Sequence, residues 1–238
     1  MSKRILILKN ISHEEPGLLI DVINRYYLPY DVIDLSKKLN FPKIDDYALL
    51  IIMGGPDSAN DFSEKIIKES YYVKLAFHKK IPILGICLGL QLMIHVNGGE
   101  IFKNKVEEVG FKHKEKFWYT IKLTEEGLRD PVFENINDSF IVFQLHGETV
   151  KLIKRATLLG TSKLCRNQIL KIGDYNYGFQ FHFELNEDLF WKIHDLSAEL
   201  INHDLNQLEK DFNIIKESYT KRGTRICENY LKLIKFIM

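Results

Sequence analysis

The stretch Ile81-Pro82-Ile83-Leu84-Gly85-Ile86-Cys87-Leu88-Gly89-Leu90-Gln91 joins a short apolar run to a cysteine between two glycines and then to an apolar helical pattern. Glycine has no Cβ, so Gly85 and Gly89 let a tight strand-to-helix turn close. Such a turn, a nucleophile elbow, lifts its central side chain above the sheet. The N-terminus of the following helix, with its positive dipole end, then favours the thiolate. The stretch therefore predicts a strand, an elbow and a helix, with Cys87 as a nucleophile.

The other two cysteines, Cys165 and Cys227, have no such context. Free cysteine is commonly a buried packing residue, and we interpret both in that way. Three cysteines at wide spacing form neither a disulfide framework nor the C-x-x-C pair of a zinc site. The chain also has no phosphate-binding loop of the G-x-x-x-x-G-K-[ST] type. We therefore expect no metal and no cofactor.

Apolar runs alternate with helical patterns on both sides of the elbow, which predicts a doubly wound, mostly parallel sheet. Short continuous apolar runs are typical of parallel strands buried on both faces. The predicted strands before the elbow are Ile5–Leu8, Tyr30–Leu35 and Ala48–Met53, and the predicted helices of this half cover residues 16–25, 63–79 and 88–96.

The middle of the chain has short strand candidates separated by turn residues, and the pattern is helical after Leu185, with Asn186 as a helix N-cap. We expect an α/β three-layer sandwich: a mostly parallel, flavodoxin-like sheet with an added antiparallel part and a helical C-terminal tail. Residues 1–238 are predicted to form one domain, with a helical extension over about 187–238. The strand candidates are Val109–Phe111, Trp118–Leu123, Phe140–Leu145, Thr157–Thr161, Ile169–Ile172 and Tyr177–Phe183.

Composition limits the classes of partner. Lys+Arg total 33 and Asp+Glu 32, giving a formal net charge of +1, so there is no reason to invoke nucleic acid or a membrane surface. The apolar run near the N-terminus is too short for a signal-peptide core, and no stretch is long enough to span a bilayer. A cytoplasmic protein with reduced thiols is the expectation.

A second group of chemically useful residues lies in Gln180-Phe181-His182-Phe183-Glu184. On a strand, side chains two apart share one face, so His182 and Glu184 would point together and the phenylalanines into the core. A cysteine, a histidine base and an orienting carboxylate make up a catalytic triad. An α/β-hydrolase would place its acid before its histidine, and here the histidine comes first.

Four segments, in order, resemble the class I glutamine amidotransferase family, in particular its free-standing members similar to the glutaminase part of GMP synthase. The resemblance covers roughly residues 1–190. Phe183 stands where the family usually has proline, Leu145 where many members have serine, and Glu148 where many have aspartate. The four segments are Met53-Gly54-Gly55-Pro56, Gly85-Ile86-Cys87-Leu88-Gly89-Leu90-Gln91, Phe143-Gln144-Leu145-His146-Gly147-Glu148 and Gln180-Phe181-His182-Phe183-Glu184.

The resemblance implies a reaction and a set of roles. Cys87 would attack a side-chain carboxamide to form a γ-glutamyl thioester, with His182 as base and acid and Glu184 orienting the imidazole. Backbone N–H groups of Gly55 and Leu88 would form the oxyanion hole. The groups implied to hold the substrate are Gly54, Gln91 and the backbone near Gln144, Leu145 and His146.

The resemblance leaves three functions open. The first is a glutaminase that passes ammonia to a separate ATP-dependent synthetase subunit. The second is a stand-alone γ-glutamyl peptidase or hydrolase with the same triad. The third is a non-catalytic regulatory protein on this fold, against which the complete set of Cys87, His182 and Glu184 argues. The expected ligand is glutamine or another γ-glutamyl compound.

Overall fold

A computed structural model describes residues 4–200 and 203–238; the predicted domain and helical extension also include residues that lie outside these ranges. The strands, numbered in chain order, are β1 (Ile5–Lys9), β2 (Tyr30–Asp34), β3 (Leu49–Ile52), β4 (Ile83–Ile86), β5 (Ile101–Gly110), β6 (Thr120–Leu123), β7 (Ser139–Ile141), β8 (Gln144–Val150), β9 (Ala156–Thr161), β10 (Ile169–Ile172) and β11 (Asn176–Phe179). The α-helices are α1 (Leu18–Arg25), α2 (Glu64–His78), α3 (Leu88–Val96), α4 (Glu125–Arg129), α5 (Glu187–Leu196) and α6 (Leu205–Leu233). Short 3₁₀ turns cover Ile44–Asp46, Pro131–Phe133 and Ala198–Leu200.

Nine strands form the main sheet, in the order β2-β1-β3-β4-β11-β10-β9-β6-β7. The strands from β2 to β11 in this order are mutually parallel, and the remaining pairs are antiparallel. This confirms the predicted mostly parallel α/β sheet with an added antiparallel part. Because carboxyl ends of parallel strands meet at one edge, the residues after β3, β4 and β11 are brought together. Those residues include Gly54, Cys87 and His182.

Successive residues of the central strands point to opposite faces, and each face is covered by helices. Ile5, Ile7 and Ile51 belong to the core cluster that contains α1 and the C-terminal half of α6. Leu6 and Leu8 belong to the cluster that contains α2 and α3. Both faces of β1 are therefore fully buried, which explains why the strand is a continuous apolar run. This arrangement gives the three layers expected from the sequence.

A two-stranded antiparallel ribbon, β5–β8, stands apart from the main sheet. Its pairing is interrupted between Lys103 and Glu108 and then resumes with Glu108 opposite His146. A third apolar cluster joins its end to α5 and to the N-terminal half of α6, with Phe190 and Phe212 stacked at 3.9 Å between ring centroids. Two strands alone are marginal in water, so the ribbon depends on these contacts.

The central predictions of secondary structure are confirmed to within a few residues, and Asn186 caps α5 by accepting from Leu189 N–H. Others are wrong. Predicted strand Phe140–Leu145 is two strands, β7 and β8, and predicted strand Tyr177–Phe183 ends at Phe179. Helix α4 was not predicted. No helix in the described part of the chain is long and apolar enough to cross a membrane.

Candidate active site

Cys87 occupies the elbow between β4 and α3. Its backbone has φ 51° and ψ −105°, a conformation that a non-glycine residue adopts only when its surroundings enforce it. A Cβ on Gly85 would lie 2.6 Å from the Gly89 carbonyl carbon, and one on Gly89 would lie 2.3 Å from the Ile52 carbonyl oxygen. A side chain at either position would collide with neighbouring backbone, so both positions of the motif require glycine, as predicted. The Cys87 N–H donates to the Phe179 carbonyl at 2.7 Å, which fixes the turn on β11.

His182 and Glu184 lie beyond the end of β11, in an extended segment rather than on the predicted strand. The His182 N–H donates to the Phe143 carbonyl at 3.0 Å, which ties this segment to the chain before β8. The two side chains still meet, with His182 Nδ1 2.7 Å from Glu184 Oε1. Glu184 Oε2 also accepts from the Phe183 N–H at 2.8 Å, which holds the carboxylate in place. Phe183 is buried against Phe179, as predicted.

The His182 imidazole is fully buried, and its surroundings raise its pKa. Burial alone would lower its pKa, but the charge of Glu184 and the hydrogen bond to Cys87 outweigh burial and raise the pKa of His182 well above its ordinary value. Nδ1 is taken by Glu184, so the other ring nitrogen is the one available to the thiol.

Three further groups surround the Cys87 sulfur. The Leu145 carbonyl oxygen lies 3.7 Å from Sγ and accepts from the thiol, while Gln180 Nε2 donates to Sγ at 3.8 Å. Gly54 lies against both reactive residues, since a Cβ there would be 2.9 Å from His182 Cε1 and 3.5 Å from Cys87 Cβ. Gly54 is thus packed against both Cys87 and His182. The contact from Gln180 was not anticipated from the sequence.

A cavity of about 340 Å³ opens onto Cys87. Of the sequence-predicted residues, Cys87, Gly55, Gln91, Leu145 and His146 line it, together with residues that follow Gly55 and His146 in the chain and with Glu107 and Val109 of β5. Gln91 Nε2 donates to the Glu148 carbonyl at 3.3 Å, linking the start of α3 to β8. Leu88 lies beside Gly55: a Cβ added to Gly55 would be 3.5 Å from a Leu88 methyl carbon.

The side chains of Gln144 and His146 are buried, so the backbone of this segment is the part that can hold a substrate, as the resemblance implied. Gln144 is fully buried and is not among the described residues that line the cavity. The His146 ring turns inward, where Nδ1 lies 3.0 Å from the Glu148 carbonyl and Nε2 lies 3.2 Å from Glu108 Oε2. For both residues, only backbone on the cavity side is left for a ligand.

Two buried polar residues, Asn10 and Glu69, support the segment that leads into the Gly54–Gly55 loop. Asn10 Nδ2 donates to the Met53 carbonyl at 3.3 Å and to Glu69 Oε1 at 3.0 Å. Glu69, on α2, is fully buried, and this burial raises the pKa of its carboxyl to about 7. Neither residue was anticipated, because each belongs to a segment with other polar residues and no motif distinguishes it from them.

Helix α6 also supports the histidine segment. The Tyr219 hydroxyl donates to the His182 carbonyl at 2.6 Å, and Tyr219 is buried. A Cβ on Gly223 would lie 2.2 Å from the Phe183 carbonyl oxygen, so only glycine allows the helix to lie so close. The sequence predicted that this region is helical but contained no signal of what the helix touches.

The other two cysteines are buried and unreactive by environment. Burial raises the pKa of Cys165 to about 11, partly offset by a hydrogen bond from Thr149. Burial, together with the charge of Glu184, raises the pKa of Cys227 well above its ordinary value. Neither thiol therefore has the surroundings that activate a nucleophile.

The family model described as "Glutamine amidotransferase class-I" matches residues 19–190, the part of the chain that carries all of these site residues except Asn10 and those of α6. The chain belongs to the class I glutamine amidotransferase family. The amidotransferase resemblance suggested by the four motifs is thus confirmed.

Relatives and solved structures agree with this assignment. Over 148 residues the chain is 31% identical to the glutamine amidotransferase-like protein YfeJ of Salmonella typhimurium, covering 60% of this amidotransferase and 59% of that protein. It is 27% identical over 194 residues to gamma-glutamyl peptidase 3 of Arabidopsis thaliana, covering 79% and 76% of the two chains. The crystal structure of a glutamine amidotransferase from Thermotoga maritima superposes with a TM-score of 0.84 at 26% identity, over 98% of this chain and 99% of that one.

Proposed function

We propose that this amidotransferase hydrolyses the side-chain amide of glutamine through a γ-glutamyl thioester on Cys87 and releases ammonia. The observation that carries the proposal is the 2.7 Å hydrogen bond between His182 and Glu184 behind a cysteine held on a strained elbow. A nucleophile, a base and an orienting carboxylate are arranged in that order, at the floor of a cavity large enough for an amino acid.

The roles follow from the contacts. His182 accepts the thiol proton, and the Cys87 thiolate attacks the amide carbon. The carbon–nitrogen bond then breaks as the imidazolium of His182 gives its proton to the leaving ammonia. Water, activated by the same imidazole, attacks the thioester and releases glutamate. Glu184 holds the imidazole by Nδ1 throughout and offsets its positive charge.

Backbone N–H groups of Gly55 and Leu88 are the proposed donors to the oxyanion. Leu88 is the first residue of α3, where N–H groups have no partner within the helix. One such donor contributes about 3 kcal/mol to lowering the barrier. Gln91 and the backbone of Leu145 and His146 are proposed to hold the amino-acid end of the substrate, because all three line the cavity.

Ammonia from this reaction would supply a separate ATP-dependent synthetase subunit. The proposed location is the cytoplasm, where free thiols such as Cys87 stay reduced. We also propose that residues 1–238 fold as one domain. In support, α6 contributes Ile226, Tyr230 and Leu231 to the same core as β1 and β3.

A stand-alone γ-glutamyl peptidase is the second candidate, favoured by one specific observation. A larger cavity, about 790 Å³, adjoins the first and shares Glu107 and Val109 with it. Ammonia needs no such space, whereas the peptide released from a γ-glutamyl peptide does. The likeness to the Arabidopsis peptidase points in the same direction.

The test is to incubate the purified full chain with glutamine and, separately, with γ-glutamyl dipeptides, and to measure free glutamate. Cys87→Ala should abolish release, and Cys227→Ala, which removes a buried thiol elsewhere, should retain it. Equal inertness of the wild type and Cys87→Ala on both substrate sets, with candidate synthetases added, would show that the hydrolase proposal is wrong.

The same assay separates the two candidates. Release of glutamate from glutamine, increased by a synthetase partner, supports the amidotransferase. Turnover of dipeptides without turnover of glutamine supports the peptidase. In the second case, substitutions of Glu107 should raise KM for dipeptides.

A further inference from the structure

Three buried residues of types that bind metal ions lie close together beside β8, the strand whose Leu145 carbonyl faces Cys87. Glu108 on β5 and His146 on β8 are directly paired across the ribbon, and Cys165 comes from the loop between β9 and β10. Their carboxylate, imidazole and thiol atoms all lie within 4.8 Å of one another. The three residues are buried, with Glu108 at 0% exposure. The reaction proposed above uses none of these side chains.

One of the two ring nitrogens of His146 already has a hydrogen-bond partner. His146 Nδ1 faces the Glu148 carbonyl, which can only accept, so Nδ1 carries a proton and donates. Nε2 points toward Glu108, 3.2 Å from Oε2. A positive charge between these two atoms, either a proton or a metal ion, would hold them together. Donation by the other ring nitrogen to a backbone carbonyl is the arrangement typical of metal-binding histidines.

Several polar atoms of the cluster lack hydrogen-bond partners among the described residues. They are His146 Nε2, Glu108 Oε1 and Gln168 Oε1. The 3.2 Å contact from Nε2 thus does not have hydrogen-bond geometry. A fully buried carboxylate is costly unless it is well paired, and His146 is the only group with which Glu108 forms an ion pair in the described part of the chain.

From these observations we propose that Glu108, His146 and Cys165 bind a divalent transition-metal ion of the zinc type. Zinc combines nitrogen, oxygen and sulfur ligands in tetrahedral sites, whereas magnesium and calcium take oxygen ligands alone. Zinc bonds of about 2.0–2.3 Å place the ligand atoms of such a site roughly 3.3–3.8 Å apart, so small side-chain movements close the cluster. Gln168, whose Nε2 donates to Glu108 Oε2 at 3.3 Å, is beside the cluster to supply a fourth ligand.

The site has a structural consequence. Residues 108 and 146 belong to the two-stranded ribbon, while Cys165 belongs to the loop that joins β9 and β10 of the main sheet. A metal ion bound by all three would join the ribbon to the sheet one residue away from Leu145, whose carbonyl faces Cys87. Binding displaces the thiol proton of Cys165 to solvent, and no oxidation or reduction is involved.

The experiment uses the full chain in a Cys87→Ala background, so that the elbow thiol cannot bind metal. After treatment with a chelator, the protein is titrated with Co²⁺, and thiolate-to-cobalt charge-transfer absorption is recorded; bound Zn²⁺ is counted by mass spectrometry. We expect one ion per chain and a Tm that rises with Zn²⁺. Cys165→Ser should lose the absorption, Glu108→Gln should weaken binding at least tenfold, and Cys227→Ser should match the background protein.

Two results would overturn the proposal. One is the absence of thiolate absorption with a Tm unaffected by Zn²⁺, which would mean that a proton alone lies between His146 and Glu108. The other is absorption that survives Cys165→Ser or disappears with Cys227→Ser, which would place the metal elsewhere. Neither result depends on turnover, so failure here is distinct from failure of the proposed hydrolysis.

Discussion

The hydroxyl of Tyr219 donates a 2.6 Å hydrogen bond to the backbone carbonyl of His182, so a residue near the C-terminus positions the proposed catalytic base. We expect Tyr219→Phe to leave that carbonyl without its partner, lower the free energy of unfolding by about 1–3 kcal/mol and lower kcat/KM. Tyr230→Phe is a matched control, because Tyr230 makes the same kind of bond, to the Tyr175 carbonyl at 3.0 Å, from the same helix. Denaturant unfolding and glutamate release should show a stability loss in both and an activity loss in Tyr219→Phe alone.

Replacement of Glu184 by glutamine tests the orienting carboxylate. An amide in place of the Oε1 acceptor removes the negative charge that stabilises the His182 imidazolium, so kcat should fall about 10²–10⁴-fold with KM little changed. Glu228→Gln, on α6 beside Arg25, controls for the loss of an acidic residue elsewhere. Steady-state kinetics check the result, and a kcat within twofold of the wild type would argue against the triad.

Gly54→Ala tests the packing of the reactive pair. The new Cβ would lie 2.9 Å from His182 Cε1 and 3.5 Å from Cys87 Cβ, so the imidazole must shift. We expect kcat to fall by roughly tenfold or more, because misplacement of a reacting group by about 1 Å is costly. Steady-state kinetics and the rate of Cys87 alkylation by iodoacetamide should both be measured. If kcat and the alkylation rate are both unchanged, Cys87 and His182 tolerate the displacement.

Glu69→Gln gives a pH-dependent prediction. Burial raises the pKa of Glu69 from 4.5 to about 7, so the folded state binds this proton more tightly than the unfolded state. The stability that comes from this difference is fully present below about pH 4.5 and is lost as pH rises through 7, amounting to roughly 3 kcal/mol. Glutamine cannot ionise, so the variant should lack this loss.

Urea unfolding at about pH 5 and pH 8 measures the effect as a difference between the wild type and the variant. Glu217→Gln, exposed on α6, should follow the wild-type pH dependence. If Glu69→Gln loses as much stability as the wild type between these pH values, Glu69 is ionised in the folded state throughout.

Much of the fold could be predicted because local sequence and tertiary position agree. The apolar run at β1 and the glycines around Cys87 each specify one backbone arrangement. Prediction failed where one apolar run serves two strands: Phe140–Leu145 divides into β7 and β8 because Val142 and Phe143 leave the main sheet to begin the ribbon. Periodicity cannot detect such a change of sheet.

The residues of the candidate site also fall into two groups, those that could be predicted from the sequence and those that could not. The residues Cys87, His182 and Glu184 could be named because motif spacing reflects short-range geometry. The roles of Tyr219, Glu69 and Glu108 could not, because each acts on a residue that is distant in the chain. Gln180 was visible in its motif, yet its hydrogen bond to the Cys87 sulfur depends on how the segment leaves β11.

The contact of Tyr219 and Gly223 with the histidine segment has a consequence for synthesis of the protein. A ribosome delivers the elbow first and the residues around His182 later, and the part of α6 that holds this segment emerges after both. The parallel strands can pair while the chain is still growing, since domains form from the N-terminus onward. A nascent chain that has not yet reached α6 would therefore carry the Cys87 thiol without an ordered base, and the proposed amide cleavage would begin only after Tyr219 and Gly223 have been synthesised and α6 has packed.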